Sequence, residues 1–118
     1  MPTILVADDN RANRDALASL LEAAGYSVLL ASDGAEALEM ARERRPDVVI
    51  SDVLMPRMDG YELARRLRES QDLASGARLI AVTGYGQDAD RERSRQAGFD
   101  SHLVKPVNLD VLSDAVVN

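Results

Sequence analysis

Several polar residues in this chain stand where a short apolar run ends. Asp8 and Asp9 follow Ile4-Leu5-Val6-Ala7, and Asp52 follows Val48-Val49-Ile50-Ser51. Thr83 closes Arg78-Leu79-Ile80-Ala81-Val82, and Lys105 follows Ser101-His102-Leu103-Val104. A carboxylate such as Asp52 can accept a phosphoryl group and become an aspartyl phosphate. Attack by one anion on another needs positioning and charge neutralisation more than it needs proton transfer. Three carboxylates brought together repel, so that one holds a proton or a cation sits among them. Hard oxygen ligands with room for water favour Mg²⁺, which takes one or two carboxylates plus phosphate oxygens. Lys105 offers a positive charge and Thr83 a hydroxyl donor. Taken singly, each of these residues reads as a loop acid, a turn cap, a strand residue or a surface charge. Their joint arrival at one place is what gives them a chemical meaning.

The elements around them supply that place. The run ending at Asp52 has no polar alternation, as expected of a strand buried on both faces. Strands are predicted at Ile4–Ala7, Val28–Ala31, Val48–Asp52, Arg78–Thr83 and Ser101–Val104. Between them, Leu17, Leu20, Leu21 and Ala24 recur at helical spacing, with Gly25 as the stop. Asp33 with Glu36 and Asp59 with Glu62 have capping-box spacing and open two further helices. Pro46 bounds the first of these two helices, and Leu63 and Leu67 anchor the second. Gln87 to Ala97 reads as a helix polar nearly all round and hence loosely held. Asn108 caps a last helix with Leu109, Leu112, Ala115 and Val116 inward. Ser70 to Ala77 reads as the longest loop. Strict alternation of strand and helix indicates an α/β fold: a three-layer, doubly wound, five-stranded parallel sheet. Right-handed crossovers make the flavodoxin-like order 2-1-3-4-5 the best fit. In that order the strands carrying Asp8, Asp52, Thr83 and Lys105 are neighbours, about 4.8 Å apart.

The bulk numbers bound the function. One domain, residues 1–118, accommodates all 118 residues, of which 46% are hydrophobic. A formal net charge of -6 argues against a direct nucleic-acid surface. Arg42-Glu43-Arg44-Arg45 reads as the solvated end of a helix. No apolar stretch is long enough to span a membrane. The absence of cysteine excludes thiolate chemistry and fits a cytoplasmic setting.

Asp8-Asp9-Asn10, Asp52-Val53-Leu54-Met55-Pro56-Arg57-Met58-Asp59-Gly60, Ala81-Val82-Thr83-Gly84 and Lys105-Pro106 are each weak motifs. In this order and spacing they resemble the receiver domain of two-component response regulators, of which the chemotaxis regulator is the simplest. The resemblance covers the whole chain. It implies that Asp52 takes a phosphoryl group from a phosphohistidine of a histidine kinase or histidine phosphotransfer domain. It implies Mg²⁺ on Asp9, Asp52 and the Leu54 carbonyl, with Asp8 acting through water. Thr83, Lys105 and the Gly84 amide would hold the phosphoryl oxygens, and the Lys105-Pro106 peptide would be cis. The output partner would dock at the face of the fourth helix, fifth strand and fifth helix. The wording from Gly84 to Val107 looks most like receivers of hybrid sensor kinases; the chain reads either as such a receiver cut out or as a free single-domain regulator, and the short last helix favours the first.

Two departures carry consequences. His102 stands where the family usually has Tyr or Phe that swings inward with Thr83; an imidazole there implies a switch that depends on pH. Leu54 and Tyr85 stand where polar groups can orient the hydrolytic water, which implies a long-lived aspartyl phosphate. The competing readings are a small Mg²⁺-dependent phosphatase or phosphotransferase, a docking module that is not phosphorylated, and a flavin carrier. Aspartate phosphatases carry their nucleophile after the first strand in an Asp-x-Asp pattern, with a cap. Here the paired acids are contiguous and the length leaves no cap. A flavin phosphate would need amides where the first loop is acidic.

Overall fold

The computed structural model describes residues 2–70, 77–84, 88–105 and 107–117. The elements run β1 (Thr3–Ala7), α1 (Arg11–Ala23), β2 (Ser27–Ala31), α2 (Gly34–Arg44), β3 (Val48–Asp52), α3 (Gly60–Ser70), β4 (Arg78–Thr83), α4 (Asp88–Ala97), β5 (Ser101–Val104) and α5 (Leu109–Val117). All five strands pair in parallel in the order β2-β1-β3-β4-β5, as the alternation predicts. The expected loop from Ser70 to Ala77 falls largely outside the described residues.

The two faces of the sheet follow the period of two along each strand. Ile4 and Val6 of β1, Ile50 of β3 and Val82 of β4 pack with Leu17 and Leu21 of α1 and Leu112 of α5. Leu5 and Ala7, Val49, Leu79 and Ala81 point the other way, against Ala37 and Leu38 of α2, Leu63 and Leu67 of α3, and Ala97 at the end of α4. Every residue of β3 is buried, which is why its sequence shows no alternation. Each fully buried large apolar side chain contributes roughly 1.5–3 kcal/mol relative to exposure. The central strands are therefore the rigid floor of the site.

Local chemistry sets the helix ends. Asn10 caps α1, its Oδ1 accepting the Asn13 amide at 3.0 Å. Asp33 Oδ1 accepts the Glu36 amide at 2.8 Å, and Glu36 Oε1 reaches back to the Ser32 amide at 2.9 Å. Asp59 caps α3 through the Glu62 amide at 2.9 Å, and Asn108 caps α5 through the Val111 amide at 2.9 Å. Gly25 follows α1 with φ +98°, a conformation that favours glycine. Arg42 to Arg45 are exposed at the end of α2, as the sequence indicates. Of the described residues of α4, Ser94 and Ala97 are buried, and polar contacts add to its attachment. Arg91 Nη1 donates to the His102 carbonyl at 3.3 Å, and Arg93 lies 4.3 Å from the centre of the Tyr61 ring.

Candidate functional site

The site forms where β1, β3, β4 and β5 end. Ala7 pairs with Ser51 across β1 and β3, so Asp8 and Asp52 leave adjacent strands at the same level. Asp52 pairs with Val82, which puts Thr83 one residue farther toward the carboxyl edge. Lys105 follows β5 directly, and its amide donates to the Thr83 carbonyl at 2.7 Å.

Asp8 is buried, Asp52 nearly so, and Asp9 is exposed. Carboxylate oxygens of the three lie within 4.8 Å of one another. Lys105 Nζ sits 3.1 Å from Asp52 Oδ2 and 3.4 Å from Asp8 Oδ2. The two acids are oriented by the backbone as well. Asp8 Oδ1 accepts the Asn10 amide at 2.8 Å, and Asp52 Oδ1 accepts the Leu54 amide at 3.2 Å. Arg14 Nη1 donates to the Asp8 carbonyl at 2.8 Å and ties the first loop to α1.

The electrostatics are unfavourable by design of the sequence. Burial pushes the Asp8 carboxyl above its ordinary range and the Asp52 charge adds to this; the Asn10 amide and Lys105 offset it only in part. Burial pushes the Lys105 ammonium down, but Asp52 and Asp8 outweigh it and hold it above its ordinary value. Even at the 4.8 Å limit of their spacing, two carboxylates repel by about 3 kcal/mol at an effective dielectric of about 20. One ammonium among three carboxylates leaves an excess of negative charge. Oxygen donors at this spacing, partly open to water through Asp9, fit a hard divalent cation.

Each described residue that the sequence singles out is accounted for. Asp8, Asp9, Asp52 and Lys105 come together. Thr83 is buried beside them on β4, and Gly84 is exposed, with open space where a side chain would stand. Leu54 is exposed and is held at the acidic cleft by the hydrogen bond its amide donates to Asp52 Oδ1. His102 is half-buried on β5 and its Nδ1 lies 2.7 Å from the buried Ser94 Oγ of α4. Pro106 and Tyr85 lie outside the described residues, so the Lys105-Pro106 peptide geometry and the Tyr85 position do too. Sequence reasoning missed Arg14 and the cap at Asn10. An apolar groove of about 400 Å³, lined by Ala16, Leu17, Leu20, Val82 and Val107, borders Lys105 on the α1 side.

The profile described as "Response regulator receiver domain" matches residues 4–117. The chain belongs to the response regulator receiver family. It is 43% identical over 109 residues to the response regulator MprA of Mycobacterium sp. (strain KMS), covering 92% of this chain and 46% of that protein. It thus spans about half the length of that relative. Among solved structures it superposes on the Vibrio cholerae chemotaxis protein CheY4 with a TM-score of 0.89 and 33% identity, covering 97% and 94% of the two chains. It also superposes on the receiver domain of the sensor histidine kinase PA1611 of Pseudomonas aeruginosa PAO1, which holds a magnesium ion in its active-site cleft. That match has a TM-score of 0.86 and 32% identity over 98% and 93% of the two chains. Receivers are the phosphorylation-dependent switches of two-component signalling, and this chain is one of them. They are signalling modules that work between histidine kinases and output partners.

Proposed function

We propose that Asp52 is the phosphoryl acceptor of this receiver. The observation that carries the reading is a nearly buried carboxylate at a strand's carboxyl end, with a lone ammonium 3.1 Å from it and two further carboxylates beside it. In the reaction, an Asp52 oxygen attacks phosphorus. The bond from phosphorus to the imidazole nitrogen of a donor phosphohistidine breaks, and its electron pair stays on that nitrogen. The products are an aspartyl phosphate and a neutral histidine on a kinase or histidine phosphotransfer domain.

Lys105 starts paired with the Asp52 carboxylate and passes to the phosphoryl oxygens as charge moves onto them. The Thr83 hydroxyl and the Gly84 amide donate to the same oxygens. Asp8, Asp9 and Asp52, with the Leu54 carbonyl, would hold Mg²⁺, Asp8 through water. When bound, the ion supplies positive charge against the phosphoryl oxygens. The groove beside Lys105 gives the donor an apolar surface to approach across. The output face is that of α4, β5 and α5, where the Ser94–His102 bond joins helix to strand. Displacement of Thr83 toward the phosphoryl group would be transmitted there through β4 and β5.

The chain acts as one receiver over residues 1–118, in the cytoplasm. It promotes its own phosphorylation and slow dephosphorylation and is not a turnover enzyme. It makes no direct contact with nucleic acid. No described helix is long and apolar enough to cross a membrane. Incubation with a phosphohistidine-bearing phosphotransfer protein tests the reading. Label is expected on the wild type and not on Asp52→Asn. Label that persists in Asp52→Asn and vanishes in Asp8→Asn would instead favour an aspartate phosphatase.

A further inference from the structure

The loop from Asp52 to Gly60 carries the exposed Leu54, yet its backbone is held tightly. The Gly60 amide donates to the Val53 carbonyl at 3.0 Å, and the Leu54 amide donates to Asp52 Oδ1 at 3.2 Å. On its far side the loop rests on the start of α2. A Cβ on Gly34 would stand 2.2 Å from the Met58 carbonyl oxygen and 2.9 Å from the Met58 Cβ, so the two backbones touch. Next to that contact, Arg57 has φ +69°, a left-handed backbone that is costly for a residue with a Cβ. Gly or Asn would fit the backbone better. The Arg57 side chain pairs with Asp33, whose side chain is 4% exposed while that of Arg57 is 74% exposed. Asp33 is also the cap of α2, with its other oxygen on the Glu36 amide. The Glu36 amide, and then Arg57, hold the Asp33 carboxyl below its usual range.

We infer that Arg57 is a positioning residue for phosphoryl transfer: its pair with Asp33 anchors the loop that orients the Asp52 carboxylate and the Leu54 backbone. The Arg57 side chain reaches Asp33, which lies outside the cluster of Asp8, Asp9 and Asp52. It acts through the loop, which is clamped on α2 by Arg57 and Met58 and meets Asp52 through Leu54. Loss of the pair frees the loop at the residue where its backbone is least at ease. The acceptor then loses a fixed orientation without losing any charge. This inference rests on the reading of Asp52 as acceptor.

The test compares Arg57→Gln, Arg57→Lys, Asp33→Asn and the double variant Asp33→Asn with Arg57→Gln, all in the intact chain. Asn preserves the cap of α2 while removing the ion pair. Three readouts are taken: the Leu54 amide resonance in metal-free protein, Mg²⁺ affinity by calorimetry, and the rate of phosphoryl uptake from acetyl phosphate. Arg57→Gln and Asp33→Asn are each expected to move the Leu54 resonance and to weaken Mg²⁺ binding about tenfold. The double variant should be no worse than either single one, and Arg57→Lys should recover most of the affinity. An unchanged Leu54 resonance and Mg²⁺ affinity in Arg57→Gln would overturn the inference, whatever happens to thermal stability. Independent, additive losses in the double variant would overturn it too. Wild type that takes up no phosphoryl group refutes the acceptor reading instead, and the Leu54 resonance still decides the positioning role.

Discussion

The two edges of the sheet use charge in opposite ways. At the amino edge Asp47 and Asp100 each meet a donor. Asp47 Oδ2 accepts the Thr3 amide at 2.8 Å, and Asp100 Oδ2 accepts the Leu79 amide at 2.8 Å and Arg68 Nη2 at 2.7 Å. Arg78 completes that edge by donating to the Ala115 carbonyl at 2.8 Å and to Ser101 Oγ at 3.1 Å. At the carboxyl edge three acids cluster, and Lys105 reaches two of them, Asp8 and Asp52. The amino-edge charges satisfy strand ends and tie α3 and α5 to the sheet. At the carboxyl edge burial and the neighbouring Asp52 disfavour the charged form of Asp8, which a further counter-charge would relieve. Crowded acids at one edge beside paired charges at the other are how a site differs from a scaffold.

Substitution at each edge should therefore move different observables. The largest effect is expected from Lys105→Met. Removing the one ammonium beside Asp52 should slow phosphoryl uptake from acetyl phosphate about 100-fold or more, the usual consequence of losing one charge-stabilising donor. A loss under a few-fold would mean that Lys105 is structural. At the opposite edge, Asp100→Ala removes the acceptor of the Leu79 amide and of Arg68 Nη2, while Arg68 Nε keeps the Gly98 carbonyl. The orphaned Leu79 amide should cost about 1–2 kcal/mol in urea denaturation and leave the phosphorylation rate of the folded protein unchanged. Asp8→Asn should do the reverse of Asp100→Ala. Relief of repulsion should stabilise the metal-free protein by about 1 kcal/mol. With saturating Mg²⁺ the wild type should recover the difference, because only it gains the full binding linkage. Equal stabilisation of both proteins by Mg²⁺ would take Asp8 out of the cation site.

Two smaller effects sharpen the contrast. Asp33 lies outside the crowded cluster, and its folded carboxyl is held low by the Glu36 amide and Arg57. A lowered folded value gives stability that is present above the unfolded value and lost as pH falls through the folded one. The stability difference between wild type and Asp33→Asn should thus be flat near neutrality and shrink as pH drops below about 4. Growth of the difference in acid would reverse the sign of the interaction. Leu54 is exposed at the cleft and brings no polar group to orient water. Leu54→Asn should hasten decay of the aspartyl phosphate several-fold, as followed by loss of mass or label, and no acceleration would remove Leu54 from the account of its lifetime.

Much of this was legible in the residues. The apolar runs, their flanking caps and the alternation of periods dictate a parallel sheet, and parallel strands necessarily share a carboxyl edge. Asp33 and Asp59 announce their helices because Glu36 and Glu62 stand three residues on. Asn10 hid behind two acids of equal capping ability, since Asp8, Asp9 and Asn10 all precede α1. Arg14 points back to the Asp8 carbonyl only because the first loop turns over the start of α1. Arg68 meets Asp100 across 32 residues of sequence, and nothing local signals such a pair. Arg57 is the clearest case. Its left-handed backbone goes against residue preference and is understood only once Asp33 is seen beside it.

The central claim is that one carboxylate in the crowded edge is the acceptor. Intact mass after incubation with acetyl phosphate and Mg²⁺, on wild type and Asp52→Asn, tests it most directly. Gain of a single phosphoryl group by the wild type and none by Asp52→Asn is the predicted result. Equal gain by both proteins, or none by the wild type, would contradict it.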